Sequence, residues 1–149
     1  MTVFVRRLRV ADVPALEFIE EQNAVRYPAR AGWVKTYRRL FATALEGEPQ
    51  GIFVAEVEGK VVGGAIARQA GAHRVSGVPH GEVVTLTVAE AMRHEGVGLR
   101  LLKECEAYLR VCGCQAVTLM LPADAGESAD MFKAAGYRVT AWELGRELT

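Results

Sequence analysis

EVVTLTVAEAMRHEGVGLRLLKECEAYLRVCGCQAVTLMLP, residues 82–122, decides the fold. Its opening run, Glu82–Val88, is rich in β-branched residues and predicts a strand. Leu101, Leu102, Cys105, Tyr108, Leu109 and Cys112 then recur as i, i+1, i+4, i+7, i+8 and i+11, the period of an amphipathic helix. Gly113 supplies the left-handed residue that commonly ends a helix. QAVTLMLP, residues 115–122, is a short apolar strand of the kind buried on both faces. Such a strand–helix–strand crossover is normally right-handed and parallel, so the strands at Glu82 and Ala116 are expected side by side.

On the N-terminal side, TVFVRRLRV (residues 2–10) alternates apolar and basic residues and predicts a first strand. Asp12 is placed to cap a helix whose first turn tolerates Pro14, with Val13, Leu16 and Ile19 as its buried stripe and Tyr27 and Pro28 as its end. A second helix follows Gly32, with Trp33, Tyr37, Leu40, Phe41, Ala44 and Leu45 at helical spacing. The period then changes to two, and IFVAEVEGKVVGGAIARQ reads as a hairpin closed by Glu58, Gly59 and Lys60. GAHRVSGVPHG, residues 71–81, reads as a loop. On the C-terminal side come a short helix around Ser128 to Ala135, stopped by Gly136, and a strand-like run, YRVTAWELGREL. The order β, α, α, β, β, β, α, β, α, β implies an α/β protein, a mixed central sheet covered by helices.

Length and composition bound the function. A chain of 149 residues, half of them hydrophobic and 24% charged, matches one folded domain spanning 1–149. Acidic and basic residues balance at 18 each, so no global field draws the chain to nucleic acid or a membrane, and neither is expected as a partner. The longest apolar stretches are strand-sized, and the N-terminus lacks the continuous apolar core of a signal peptide, so a cytoplasmic location is expected. Cys105, Cys112 and Cys114 form no CxxC pair and lie near no histidine at zinc-ligand spacing, so no disulfide, metal site or nucleophilic thiol is expected. Cys105 and Cys112 are read as core residues.

RHEGVG, residues 93–98, joins a strand to a helix. The first amide N–H groups of a helix lack internal partners and carry the positive end of its dipole, which favours an anion such as pyrophosphate. Gly96 and Gly98 admit close approach to the backbone, Gly96 can turn several N–H groups toward one point, and Arg93 adds a cation. From these residues alone, an anion site and a plain joining turn both remain open. The P-loop and the three-glycine dinucleotide fingerprint do not fit the spacing.

VAEAMRHEGVG, residues 88–98, resembles the acetyl-CoA loop of GCN5-related N-acetyltransferases, whose core is Arg/Gln-x-x-Gly-x-Gly/Ala. Element order, the helix LRLLKECEAYL and the late ADMFKAAGY segment extend the resemblance over nearly the whole chain. It implies acetyl-CoA as cosubstrate, with the pyrophosphate held by Arg93, His94, Glu95, Gly96, Val97 and Gly98. Val88 would pair its backbone with the pantetheine amides where two parallel strands splay apart, and a backbone N–H around Leu86 to Val88 would stabilise the oxyanion formed at the thioester carbonyl.

The resemblance further implies acetyl transfer to a primary amine by direct attack. A lysine-like amine is mostly protonated at neutral pH, so a proton acceptor is needed, and Glu82 is the candidate, its alternative being a solvated strand-end carboxylate. His80 is an outside candidate. Thr85 and Thr87 receive no role, since threonine is common in strands. Two departures stand out: Glu90 replaces a frequent proline, and Phe132 stands where many relatives carry the tyrosine that protonates the departing thiolate. A thiolate is a tolerable leaving group without that acid, and Tyr137 is read as core.

Relatives take the acceptor beside the first two helices. Glu17, Glu20, Glu21, Tyr27, Trp33 and Tyr37 lie there among Arg26, Arg30, Lys35, Arg38 and Arg39, which leaves a small-molecule or peptide amine unidentified. A homodimer through sheet edges or terminal strands is compatible. The competing reading is an acyl-CoA-binding regulatory or interaction module without turnover.

Overall fold

The computed structural model of the chain describes residues 1–26, 32–123 and 125–149. Five strands, β1 (Phe4–Arg7), β2 (Ile52–Val57), β3 (Lys60–Ala72), β4 (Pro79–Val88) and β5 (Ala116–Thr118), form one sheet in sequence order. The first four are antiparallel, whereas β4 and β5 run parallel, as the crossover required. The helices are α1 (Val13–Arg26), α2 (Trp33–Gly47), α3 (Val97–Val111) and α4 (Glu127–Ala134).

Two cores explain the layering. On one face Leu16 and Ile19 of α1 and Tyr37 and Phe41 of α2 pack on Ile52, Val54 and Ile66. On the other, Val97, Leu101, Leu102, Cys105 and Leu109 of α3, with Phe132 of α4, pack on Phe53, Ala55, Ala65, Ala67 and Val83. Each fully buried leucine contributes about 1.5–3 kcal/mol through removal from water. The adjacent glycines Gly63 and Gly64 let both layers close on β3. A Cβ on Gly63 would crowd Leu101 at 3.3 Å, and one on Gly64 would meet Leu16 at 2.7 Å.

The hairpin turn lies where the period change placed it. Glu58 and Gly59 both have positive φ, 52° and 77°, the backbone that a two-residue turn between twisted strands requires. The segment 71–81 differs from expectation. β3 runs on to Ala72 and β4 begins at Pro79, so the loop shrinks to 73–78, closed by the His73 amide on the Val78 carbonyl at 2.8 Å. Local glycines suggested a loop there, but ladder pairing with the opposite strand outweighs them.

Other expectations need correction. Asp12 does not cap α1; its carboxylate accepts from the Arg9 amide at 2.7 Å and from both Arg6 Nη atoms at 2.8 and 2.9 Å, which fastens β1 to the short turn before α1. β5 is confined to three residues and is exposed to half-buried rather than buried on both faces. No strand forms from Tyr137 to Leu148; Val139, Trp142, Leu144 and Leu148 stand exposed. Alternation alone cannot make a strand without a ladder, and the three-residue β5 offers a short one. Cys105 is buried, with its thiol pushed up to about 12 by desolvation, whereas Cys112 is only half-buried; all three cysteines are free. Tyr27, Pro28 and Arg30, expected at the end of α1 and near the acceptor, lie outside the described residues, as does the Arg26 side chain.

Candidate active site

β4 and β5 are paired only at His80, Glu82 and the residue between them, opposite Ala116–Thr118. Beyond Glu82 the two strands part, and β4 continues to Val88 with no strand on that edge among the described residues. At a rise of about 3.4 Å per residue, this open edge is roughly 17 Å long. The Ala89 amide bonds the Val62 carbonyl at 2.8 Å, which makes Gly63–Val88 a non-hydrogen-bonded pair. The N–H and C=O of Val88, and of Leu86 two residues earlier, therefore project from the open edge. Asn23 Nδ2 of α1 reaches the Val88 carbonyl at 3.3 Å.

A bulge interrupts β4 inside the same stretch. Ile66 opposes Thr85 and Ala67 opposes Val83, so Val84 is the extra residue. It changes the alternation: Val83 faces α3 before the bulge and Leu86 and Val88 after it. Glu82, Val84, Thr85 and Thr87 consequently fall on the face covered by α1 and α2, a largely polar strip along a strand.

The loop that follows turns into α3 through two left-handed residues, His94 at φ 66° and Gly96 at φ 79°. The helix's first internal bond runs from the Arg100 amide to the Gly96 carbonyl, and no side chain among the described residues caps the start. The amides of Val97, Gly98 and Leu99 thus have no intrahelical acceptor. A Cβ on Gly98 would touch Met131 Sδ at 3.6 Å and Leu86 Cδ2 at 3.7 Å, so the glycine keeps open the space between the edge of β4 and α4. His94 Nε2 lies 3.0 Å from Glu127 Oε1 of α4, an exposed pair across the mouth of that space. On the side of the loop toward the N-terminus, an open groove of about 510 Å³ lies between Met1–Val3 and Glu95, Gly96, Arg100 and Lys103. These features fit a diphosphate followed by an amide-bearing arm: N–H groups without an intrahelical acceptor at one end, backbone donors and acceptors facing the open edge along the other.

The sequence model of the acetyltransferase (GNAT) family matches residues 13–137. The chain belongs to the GNAT family. No curated protein matches the sequence, but solved structures share the fold across the whole chain. A putative acetyl transferase from Pyrococcus furiosus superposes with a TM-score of 0.78 at 16% identity, covering 99% of this chain and 100% of that one. AAC(6')-Iy, solved with the bisubstrate analog CoA-S-monomethyl-acetylneamine, gives a TM-score of 0.73 at 16% identity, covering 100% and 99%. A protein described as a transcriptional regulator from Bacillus halodurans gives 0.77 at 17%, covering 99% and 100%. At these identities the likeness is one of fold alone.

Within this GNAT fold the candidate residues separate. Leu86 and Val88 line the open edge, and Arg93–Gly98 form the loop. Glu82 sits at the crotch of the fork, where Arg68 Nε and Nη2 both reach Oε2 at 2.9 and 2.7 Å. His80 is buried; its Nδ1 lies 2.8 Å from the Gly71 carbonyl and its Nε2 3.8 Å from Glu82 Oε1. Phe132 is core, edge-on to Tyr137 at 5.7 Å. Tyr137 donates to Glu106 at 2.7 Å, and burial, reinforced by that bond, pushes its phenol up.

The sequence placed Glu20 beside the acceptor without separating it from Glu17 and Glu21. Glu20, only 6% exposed, accepts a hydrogen bond from Thr87 in the interior, next to Tyr37. Burial first, and the Glu20 charge second, raise the Tyr37 phenol above its usual range, with Thr87 opposing. Its neighbours Glu17 and Glu21 are different in kind, both held at the surface by Arg38 at 3.4 and 2.7 Å. The available signal was that Glu20 falls on the stripe of Val13 and Leu16, where a carboxylate is out of place.

Proposed function

We propose that this chain is an N-acetyltransferase that moves an acetyl group from acetyl-CoA to the primary amine of a small molecule or peptide by direct attack. The observation that carries the reading is the pairing of an open strand edge with a helix start. Leu86 and Val88 offer backbone N–H and C=O groups for the pantetheine arm, and Gly96 turns the chain so that the unsatisfied amides of Val97, Gly98 and Leu99 meet the diphosphate beside Arg93. When bound, acetyl-CoA supplies the thioester as acyl donor. The N–H groups of the open edge are placed to donate to its carbonyl, where negative charge develops.

The acceptor reaches the thioester from the face of α1 and α2, where the polar strip of β4 lies. A carboxylate on that face must take the amine's proton; the strip offers two, Glu82 at the fork, whose Oε2 Arg68 holds, and Glu20 beside Thr87. No side chain is required for the leaving group, because a thiol of parent pKa about 8.5 departs readily as thiolate near neutral pH. We read the protein as one domain acting in the cytoplasm. No helix among the described residues is long and apolar enough to cross a membrane.

A second reading, an acyl-CoA-binding module without turnover, is favoured by the burial of Phe132 in place of an acid. Thiol release separates the two. The enzyme reading expects free coenzyme A when the protein meets acetyl-CoA and a panel of primary amines. Tight coenzyme A binding with no thiol from any amine would leave only the binding module.

A further inference from the structure

Glu20 is a carboxylate placed where a solvated side chain is the ordinary choice. Among the described residues, what holds it is a hydroxyl, that of Thr87, and a buried carboxylate without a cation is costly. The groups around it are few. Tyr37 approaches from α2, Thr85 and Thr87 lie along β4, β3 opposes them with Ile66 and Gly64, and Glu17, one turn back on α1, is engaged by Arg38.

Two further observations point to a missing ligand group at this spot. Thr85 Oγ1 is buried, its residue 7% exposed, with no hydrogen-bond partner among the described residues. An unsatisfied buried hydroxyl is unfavourable and marks a place where a polar group is absent. Thr85 stands two residues from Thr87, on the face that carries Glu20. The residues between and beyond them, Leu86 and Val88, are those whose backbone groups project from the open edge, and Asn23, one turn after Glu20, touches the Val88 carbonyl. Glu82, by contrast, is engaged twice by Arg68.

We infer that Glu20 receives the cationic primary amine of the acceptor and takes its proton, with the Thr85 hydroxyl as the second contact. The inference rests on the acetyltransferase reading and deepens it by naming the residues that receive the acceptor's amine. One ammonium N–H bond breaks and its proton passes to the carboxylate. The freed lone pair forms the C–N bond as the C–S bond breaks, the thiolate leaves with its electron pair and takes a second amine proton, and Glu20 returns its own to solvent.

The test compares the wild-type chain with Glu20→Gln, which keeps an oxygen for Thr87, and with Glu82→Gln. Two readouts are used: thiol release from acetyl-CoA across pH 6–9, and calorimetric binding of amines to protein saturated with coenzyme A. The probes are tyramine, putrescine, spermidine and a lysine tripeptide. General-base removal costs about 10²–10⁴-fold. We expect Glu20→Gln to lose at least about 100-fold in kcat/KM at pH 7, the residual rate climbing about tenfold per pH unit as free amine accumulates. The variant should also bind amines at least about tenfold more weakly. Glu82→Gln, at the other candidate carboxylate, should lose less rate than Glu20→Gln and should not acquire its steep rise with pH. If Glu20→Gln fails to fold, Glu20→Asp serves, with a lower rate and an unaltered profile expected. A wild-type profile and amine affinity in Glu20→Gln, or a profile altered by Glu82→Gln alone, overturns the inference while the acetyltransferase reading stands. A wild-type chain that binds coenzyme A yet releases no thiol with any amine overturns both.

Discussion

Substituting Gly96→Ala isolates the backbone geometry on which coenzyme A binding depends. Gly96 sits at φ 79° and ψ 8°, the left-handed region, and a methyl group there would meet nothing within 4 Å. The cost is therefore torsional alone, about 1–2 kcal/mol for an L-residue. It can be released in two ways. If the loop holds its shape, the folded state loses that amount, which for a chain of this size is a melting-temperature drop of about 2–8 °C. If the loop relaxes, the amides of Val97, Gly98 and Leu99 turn from their common point and coenzyme A affinity falls by a factor of roughly 5–30. The two losses share one strain, so their sum should stay near 1–2 kcal/mol. Thermal unfolding and isothermal calorimetry with coenzyme A measure them separately. Gly96→Asn, whose side chain tolerates this region, should recover a large part. The reasoning fails if Gly96→Ala changes neither quantity, or if Asn is as damaging as Ala.

Further outcomes follow from the same geometry. Arg93→Gln should weaken coenzyme A by roughly 10- to 100-fold, and added salt should narrow the gap to wild type; equal affinities would remove Arg93 from the site. Phe132→Tyr should lower stability by about 1–3 kcal/mol without raising kcat, because the new hydroxyl enters a core with no partner prepared for it; a tenfold gain in rate would show that a hydroxyl there does reach the leaving group. Asp12→Asn should destabilise the fold at pH 7. The bond from Arg6 holds the Asp12 carboxyl below its usual range, so its contribution is complete above about pH 4 and disappears as pH falls through the depressed value. Melting curves of variant and wild type should converge below that pH; a constant gap down to pH 2 would contradict the Arg6–Asp12 account.

What could be read in the sequence was local or periodic. The stripe of α3, the left-handed turn at Glu58–Gly59 and the glycines of the loop are settled by residues close in the chain, and each lies where its pattern placed it. The parallel pairing of β4 with β5 followed from the handedness of crossovers rather than from any residue. Registers did not follow. The extra residue Val84 depends on how β3 and β4 align, and it decides that Thr85 and Thr87 face α1. The Glu20–Thr87 contact joins positions 67 apart, so neither threonine could be told from an ordinary strand residue by composition. The tail from Tyr137 failed for the opposite reason: its alternation was visible, but a strand needs an edge to pair with, and that edge is short.

The most direct test is a structure of the protein with coenzyme A. The account requires the diphosphate on the amides of residues 96–99 beside Arg93, and the pantetheine arm bonded to the backbone of Leu86 and Val88. A diphosphate seated elsewhere, or an arm that leaves that edge of β4 unbonded, would contradict it.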